Sequence, residues 1–207
     1  IYGAIKAIDK SPDSISMRMT RRDDMDGDQV GIAFDTYHDQ RTAFLFAVSA
    51  VGVKADWVMS NDGENEDFSW DPIWWVNTTT NENGWIAEMR IPLTQLRFRE
   101  GEEQIWGLQV FRTVFRKEEL STWQHMKRDA SGMVSQFGTM NGLKNIQPKK
   151  TLDIMPYVVA RTESFEKDAE NPFKKSGKSS DLNAWLDAKI GLTNYLTLDL
   201  TINPEFG

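Results

Sequence analysis

A strict alternation of apolar and polar residues near the end of the chain places the strongest limit on its fold. Every second residue is apolar from 182 to 192, and the alternation resumes at 196. The apolar positions are Leu182, Ala184, Leu186, Ala188, Ile190 and Leu192 in the first run, and Leu196, Leu198, Leu200, Ile202 and Phe206 in the second. Successive side chains of a strand point to opposite faces of a sheet. Both runs are therefore predicted β-strands with one apolar and one polar face.

Two environments produce strands of this kind. A soluble sheet with one buried face gives the same alternation, usually over about 5 or 6 residues. A transmembrane β-barrel needs about 9 to 11 residues per strand, with lipid on one face and water on the other. The loops favour the barrel, because a long polar stretch at 162–180 precedes the first run and a short turn, Thr193-Asn194-Tyr195, follows it. Outer-membrane barrels combine long outer loops with short periplasmic turns, so residues 1 to about 147 are expected in the periplasm.

The rest of the chain also has the character of short strands. Segments rich in β-branched and aromatic residues, bounded by Asp, Asn and Gly, predict strands at 29–35, 42–50, 74–78, 84–91 and 104–114. The one helical signal, at 92–96, is too short for more than a single turn. Short strands at close spacing without long helical patterns predict an all-β protein that contains a β-sandwich.

A change of pattern near Gln147-Pro148-Lys149-Lys150 marks the predicted domain boundary. Residues 1–147 form the predicted sandwich, and residues 148–207 form the first antiparallel strands of a transmembrane β-barrel. The chain opens on Ile1-Tyr2-Gly3-Ala4-Ile5, which has the character of a strand interior. Further N-terminal strands and a signal peptide are therefore expected to precede it.

The composition excludes several classes of protein. The 24 Lys and Arg residues against 31 Asp and Glu residues give a formal net charge of −7, which argues against a nucleic-acid-binding surface. Uncharged sugars and metal ions fit this charge better. The chain has no Cys, so a disulfide framework, a thiolate zinc site and a cysteine nucleophile are all excluded.

Tryptophans are the main candidates for ligand binding. The chain has eight of them. Five lie close together in sequence: Trp57, Trp70, Trp74, Trp75 and Trp85. An indole ring can stack on the C–H face of a sugar while polar neighbours bond its hydroxyls, and the alternative is packing in the core. Trp74 and Trp75 must point to opposite faces of a strand, and the sequence leaves open which of them faces outward.

Two acidic segments are candidates for calcium binding. Asp67 and Asp71 lie in SNDGENEDFSWD, and Asp35 and Asp39 lie in FDTYHDQRTAFLF. Carboxylate, amide and backbone oxygens are the ligands that suit Ca²⁺, although the spacing is not that of an EF-hand. The alternatives are a solvated acidic loop for the first segment and an ordinary turn for the second.

Catalytic motifs give little support for an enzyme. The chain has no GxSxG, HExxH, P-loop or GxGxxG pattern. A glycosidase would need two carboxyl groups about 5 to 10 Å apart, one of them with a raised pKa. Glu66, Asp67 and Glu88 are carboxylates that could serve, but the sequence gives neither their separation nor their burial. No catalytic residue is assigned.

Five blocks of sequence together resemble a known arrangement. In chain order they are VGIAFDTYHDQRTAFLFAVSAVGVKAD, FSWDPIWW, GWIAEMRIPLTQLRF, IWGLQVFRTVFRKEELSTW and LTNYLTLDLTINPEFG. They resemble a family 9 carbohydrate-binding-module-like domain fused to an outer-membrane β-barrel of a family of unknown function (DUF5916), common in Bacteroidota and other Gram-negative bacteria. The resemblance implies a jelly-roll-like β-sandwich of the carbohydrate-binding type, structural calcium, and a sugar held between two tryptophans.

The predicted function is a non-enzymatic protein of the cell envelope. A periplasmic carbohydrate-binding-like module would bind or take up envelope glycans, attached to a barrel in the outer membrane. Expected partners are a carbohydrate, outer-membrane lipid and other outer-membrane proteins, and no nucleic acid. Two alternatives stay open: a glycoside hydrolase, and a scaffold or subunit of an outer-membrane complex that binds no sugar.

Overall fold

The protein is all-β, as the sequence predicts. A computed structural model describes residues 1–127, 129–148, 152–166, 171, 177–192 and 196–203. The strands within these residues are β1 (Tyr2–Ile8), β2 (Gln29–Asp35), β3 (Ala43–Ser49), β4 (Lys54–Ser60), β5 (Asn65–Asp67), β6 (Trp75–Asn81), β7 (Gly84–Arg90), β8 (Glu103–Val114), β9 (Glu119–Thr122), β10 (Gly138–Lys144), β11 (Leu152–Ser164), β12 (Lys178–Gly191) and β13 (Thr197–Ile202). Single turns of 3-10 helix occur at Pro12–Ser14, Asn61–Gly63, Leu93–Gln95, Phe115–Lys117 and Val134–Gln136. None of the helices in the described part of the chain is long and apolar enough to cross a membrane.

The chain divides into two compact units. Unit 1 is Ile1–Lys149 and unit 2 is Lys150–Gly207; the sequence pattern predicts the boundary between Gln147 and Pro148. Unit 1 contains two antiparallel sheets. A small sheet has the order β1-β7-β6, and a large sheet has the order β10-β8-β2-β3-β4-β5, with β9 paired to β8.

The two sheets of unit 1 share one hydrophobic core. Trp85, Ala87 and Met89 of β7 lie in the same buried cluster as Phe34 of β2 and Phe46 of β3. All seven residues of β3 are buried, so this strand is covered on both faces. Each buried large side chain contributes about 1.5 to 3 kcal/mol of hydrophobic stabilisation, and this core therefore holds the small sheet against the large one.

Unit 2 is a single antiparallel sheet in the order β11-β12-β13. Its register places apolar residues beside apolar residues across all three strands. One row joins Ile154, Ala188 and Leu200, and the row two residues along pairs Pro156 with Leu186. The alternation predicted within each strand therefore becomes one continuous apolar face on the sheet.

The polar stretch predicted as a loop at 162–180 is shorter than expected. Thr162, Glu163 and Ser164 pair with Ser180, Ser179 and Lys178, so both strands continue into it. Backbone pairing needs no apolar side chain, and the hairpin extends beyond the alternating pattern for this reason. Most of the remaining loop, the predicted turn at 193–195 and Phe206 lie outside the described residues.

Candidate functional site

The five candidate tryptophans occupy three different environments. Trp74 and Trp85 are core residues, only 2% and 1% exposed. Trp70 packs beside them, with its ring 5.1 Å from Phe44 and 5.4 Å from Phe46. For these three, the structure favours the packing alternative. Trp57 and Trp75 lie outside this core cluster of buried residues.

A buried ionic cluster fixes Trp74 in the core. The indole N–H of Trp74 donates to Asp56 Oδ2 at 2.9 Å, and one terminal nitrogen of Arg22 donates to both oxygens of Asp56 at 2.8 Å. Lys54 Nζ donates to the backbone oxygen of Trp74 at 3.1 Å. Burial raises the pKa of Asp56. The hydrogen bonds from Trp74 and Arg22 act in the opposite direction but do not cancel this effect. This cluster decides which of the two adjacent tryptophans faces inward.

Trp57 belongs to a partly exposed aromatic cluster on the other face of the large sheet. Its ring stacks on Phe68 at 5.4 Å and lies 6.3 Å from Phe111. Phe111 covers Gly31, where a Cβ atom would overlap the phenyl ring. The indole N–H of Trp57 is buried and has no hydrogen-bond partner among the described residues. Trp57 thus lies between two other aromatic rings, which favours the packing alternative for it as well.

Trp75 lies on the exposed face of the small sheet, in a cross-strand row with Arg90 and Tyr2. Arg90 of β7 is the register partner of both Tyr2 on β1 and Trp75 on β6. Tyr2 is 82% exposed and Trp75 is 49% exposed. The guanidinium of Arg90 lies 4.4 Å from the centre of the Trp75 ring, a geometry in which a cation–π attraction holds the indole in place. We call these three residues the aromatic row.

Polar side chains lie beside the aromatic row on the same face. The next row along the strands contains Ala4, Glu88 and Asn77, and the one after it contains Lys6, Ile86 and Thr79. The amide and carboxylate groups lie two residues along the strands from the exposed indole and phenol, and the hydroxyl of Thr79 lies four residues along. Such a surface can stack on sugar rings and bond their hydroxyls. The sequence names Trp75 as one of five candidate tryptophans, but it does not indicate Tyr2 or Arg90, because only the sheet register brings these two residues beside Trp75.

The four candidate calcium ligands do not come together as one set. Both carboxylate oxygens of Asp35 accept backbone N–H groups, from Asp39 at 3.1 Å and Gln40 at 2.8 Å. Asp39 Oδ1 accepts the N–H groups of Arg41 and Thr42, each at 2.8 Å. These bonds close the turn between β2 and β3. Burial raises the pKa of Asp35, while the two N–H groups lower it.

Asp67 and Asp71 are bound to other partners. Asp67 Oδ1 accepts the hydroxyl and the N–H of Ser69, which lower the pKa of Asp67. Asp71 pairs with Arg22 at 2.7 Å. Asp67 lies on β5, three strands from Asp35 on β2, a separation of about 14 Å that one ion cannot bridge. The described residues contain no group of three or more His, Cys, Asp or Glu side chains suited to a metal ion, and the calcium site stays a prediction.

A different aspartate of the acidic segment has a structural role. The backbone oxygen of Asp62 accepts the N–H of Met133 at 2.8 Å, and its Oδ1 accepts the N–H of Ser135 at 2.7 Å. Asp62 therefore ties the turn at Asn61–Gly63 to the segment that carries Val134, which is itself buried. The acidic segment is therefore not wholly solvated.

A second ionic cluster joins the end of β1 to β8. Arg116 donates two parallel hydrogen bonds to Asp9, at 2.8 and 2.9 Å, and Arg112 donates to Asp9 at 3.3 Å and to the backbone oxygen of Ile8. Bidentate pairs of this kind are the stronger class of charge-assisted hydrogen bond. The hydrogen bond from Arg116, together with the N–H of Ser11, lowers the pKa of Asp9 to about 2.

No model of a known protein family matches the chain, and no curated protein matches it either.

Proposed function

We propose that the protein belongs to the cell envelope of a Gram-negative bacterium, with unit 2 contributing the first strands of an outer-membrane β-barrel. The observation that carries this proposal is the contrast between the two faces of the β11-β12-β13 sheet. Leu152, Val158 and Leu182 on the apolar face are all more than 60% exposed. An exposed apolar face of this extent marks a surface that contacts a protein or a membrane. Lipid acyl chains would bury it along the whole length of each strand.

The opposite face of unit 2 supports the same proposal. Asp153, Lys189 and Asp199 form one cross-strand row, and Arg161 lies opposite Asp181. Between these charged rows the same face carries Met155, Val159 and the stacked pair Tyr157 and Trp185. The charged rows suit the water-filled side of a barrel wall. β11 and β12 have 13 and 14 residues, which exceeds the roughly 9 to 11 residues that a tilted membrane strand requires.

The apolar face can be tested by placing one charge on each side of β12. Ala184→Arg is expected to lower the fraction of protein that floats with phosphatidylcholine vesicles after dilution from urea. A cation in the lipid-facing centre of a strand costs about 2 kcal/mol or more. Asn183→Arg adds the same charge at the adjacent position on the opposite face and is the matched control, expected to leave flotation unchanged. Equal losses in both variants, or no flotation of the unsubstituted protein, would contradict the proposed membrane strands.

For unit 1 we propose a carbohydrate-binding β-sandwich located in the periplasm. Two antiparallel sheets around one core are typical of such modules. The exposed aromatic row beside Glu88 and Asn77 supplies stacking surfaces and hydrogen-bonding groups together. The periplasmic location is supported by the order of the polar stretch and the short turn in the sequence.

Calorimetric titration tests the carbohydrate-binding proposal. The protein is expected to release heat with at least one saccharide in a panel of mono- and oligosaccharides, measured with and without Ca²⁺. Heat that depends on Ca²⁺ would support the calcium prediction as well. A flat response to every saccharide under both conditions would remove the carbohydrate proposal and favour the scaffold alternative, in which the same face contacts another envelope protein.

The glycosidase alternative gains no specific support. The described carboxyl groups with a raised pKa are Asp35 and Asp56, and both are buried and hydrogen-bonded. Glu66 and Glu88 are exposed on strands of different sheets. A positioned acid and base facing one open cleft, as glycoside hydrolysis requires, is not formed by these four groups.

A further inference from the structure

We propose that Asn141 is a site of spontaneous modification, at which the backbone nitrogen of Gly142 attacks the side-chain amide and converts it to a carboxylate. The inference concerns strand β10 of unit 1 and does not depend on the functions proposed above. Three features carry it: an Asn-Gly pair in an unpaired part of a strand, the open space beside its glycine, and a second Asn-Gly pair that the fold holds in place.

The reaction needs only the chain and water. The backbone nitrogen of Gly142 forms a bond to Cγ of Asn141, and its proton goes to the side-chain nitrogen, which leaves as ammonia. Water then opens the resulting cyclic imide. Opening at the side-chain carbonyl gives aspartate, and opening at the backbone carbonyl gives isoaspartate. Either product adds one negative charge to the formal net charge of −7. Glycine favours the attack because it has no Cβ beside the reacting nitrogen.

A β-bulge takes this Asn-Gly pair out of the strand ladder. The register shifts between Met140 and Leu143, so that Asn141 and Gly142 together lie opposite a single residue of β8, Ile105. An inserted residue of this kind is left unpaired and disrupts the ladder locally. The Asn141 side chain is exposed. The backbone of the pair can therefore rotate towards the geometry of attack with little disturbance of the sheet.

Gly142 has the conformation and the free space that such a rotation requires. Its φ is +86°, in the left-handed region that glycine adopts without strain. A Cβ added at Gly142 would meet no heavy atom within 4 Å beyond its chain neighbours, so no packing contact holds the backbone on that side. The residue that allows the bulge to form is thus also the residue that leaves Asn141 open to attack.

The other Asn-Gly pair of the chain, Asn83-Gly84, lies in a hairpin turn that β1 covers. Gly84 is paired with Ile8 at the end of β1, and a Cβ added at Gly84 would overlap the backbone oxygen of Ala7. The backbone oxygen of Asn83 accepts the N–H of Asp9 at 2.9 Å. The peptide bond that must rotate during attack is therefore fixed from both sides, and Asn83 reacts only when the hairpin opens.

Peptide mapping by mass spectrometry provides the first arm of the test. The folded protein is incubated at mildly alkaline pH in heavy-oxygen water, which labels the new carboxylate, and is then digested with trypsin in ordinary water. Asn141 is the only Asn in the tryptic peptide 129–144. Conversion at Asn141 is expected to be at least about tenfold faster than at Asn83, because reaction at Asn83 requires local unfolding.

The unfolded chain provides the control for intrinsic reactivity. In guanidinium chloride neither pair is held by tertiary structure, so Asn141 and Asn83 should react at rates within about twofold of each other. In the folded protein, Asn141→Gln should abolish the conversion in peptide 129–144, because the longer side chain closes the ring far more slowly. Asn83→Gln is the matched control and should leave that conversion unchanged. Ion-exchange chromatography should show a more acidic form of the incubated protein, absent from Asn141→Gln.

Three outcomes would overturn the inference. Equal conversion of Asn83 and Asn141 in the folded protein would mean that the fold does not distinguish the two pairs. An Asn141 that stays intact in the folded protein, over a time in which the unfolded chain is converted, would mean that the bulge protects it. The same ratio of rates in the folded and the unfolded chain would assign the difference to neighbouring sequence and not to the bulge.

Discussion

Replacing Asp56 by Ala is expected to lower the free energy of unfolding of unit 1 by about 3 to 5 kcal/mol, the usual cost of removing one partner from a buried ion pair. The substitution leaves the Arg22 guanidinium without its buried carboxylate and the Trp74 indole N–H without its acceptor. It also opens space beneath Trp74 in the shared core. The measurement is urea-induced unfolding followed by near-ultraviolet circular dichroism.

Asp71→Ala is the matched control for this experiment. Asp71 pairs with the same Arg22 at 2.7 Å, but its side chain is 61% exposed. Exposed ion pairs contribute about 0 to 1 kcal/mol, so the control should unfold close to the unsubstituted protein. A small effect of Asp56→Ala, or an equal effect of both substitutions, would show that the cluster does not hold Trp74 in the core.

The sequence predicts strand position best where all side chains on one face of the strand have the same surroundings, either the core or solvent. β2 is found at the predicted residues, Gln29–Asp35, and β7 ends one residue before the prediction. β12 also follows its alternating pattern, because its aliphatic residues from Leu182 to Ile190 share one face with Leu152, Ile154, Pro156, Val158 and Ala160 of β11, whereas Trp185 lies on the other face opposite Tyr157. When each face has uniform surroundings, apolar and polar residues alternate along the strand, and this alternation can be recognised in the sequence.

β4 shows why other strands escape prediction. Asp56 faces the core side of this strand, where an apolar residue is expected, because it binds Arg22 and Trp74 there. Trp57 lies on the opposite side among aromatic rings instead of in water. Because one face of Lys54–Ser60 carries a buried charge and the other carries an indole, apolar and polar residues do not alternate regularly along this strand. Partners distant in sequence determine this strand.

The candidate site was predictable only in part for the same reason. The strand period fixes that Trp74 and Trp75 face opposite ways, but Asp56, 18 residues away, determines which one is buried. Tyr2 joins Trp75 only through the pairing of β1 and β6 with β7. Register between strands distant in sequence is a tertiary property, so a single sequence could nominate Trp75 but could not assemble the row around it.

Asp9→Asn is expected to lower the free energy of unfolding of unit 1 by about 3 kcal/mol at pH 7, since it removes the carboxylate that pairs with Arg112 and Arg116. The effect should depend on pH. The pKa of Asp9 is lowered from 3.8 to about 2 in the folded protein, so the ionised carboxylate stabilises the fold fully above about pH 4. This stabilisation is lost as the pH falls through the folded-state pKa of about 2, below which Asp9 is protonated in the folded as well as in the unfolded state.

The difference between the unsubstituted protein and Asp9→Asn should therefore shrink as the pH falls from 5 to 2. Urea unfolding at several pH values measures that difference, and Glu119→Gln is the control, because Glu119 pairs with Lys117 at 3.9 Å on the exposed surface. A difference that stays constant with pH would mean that Asp9 acts through the shape of its hydrogen bonds and not through its charge. The two arginines are partly exposed, so raising the salt concentration should weaken the effect moderately without abolishing it.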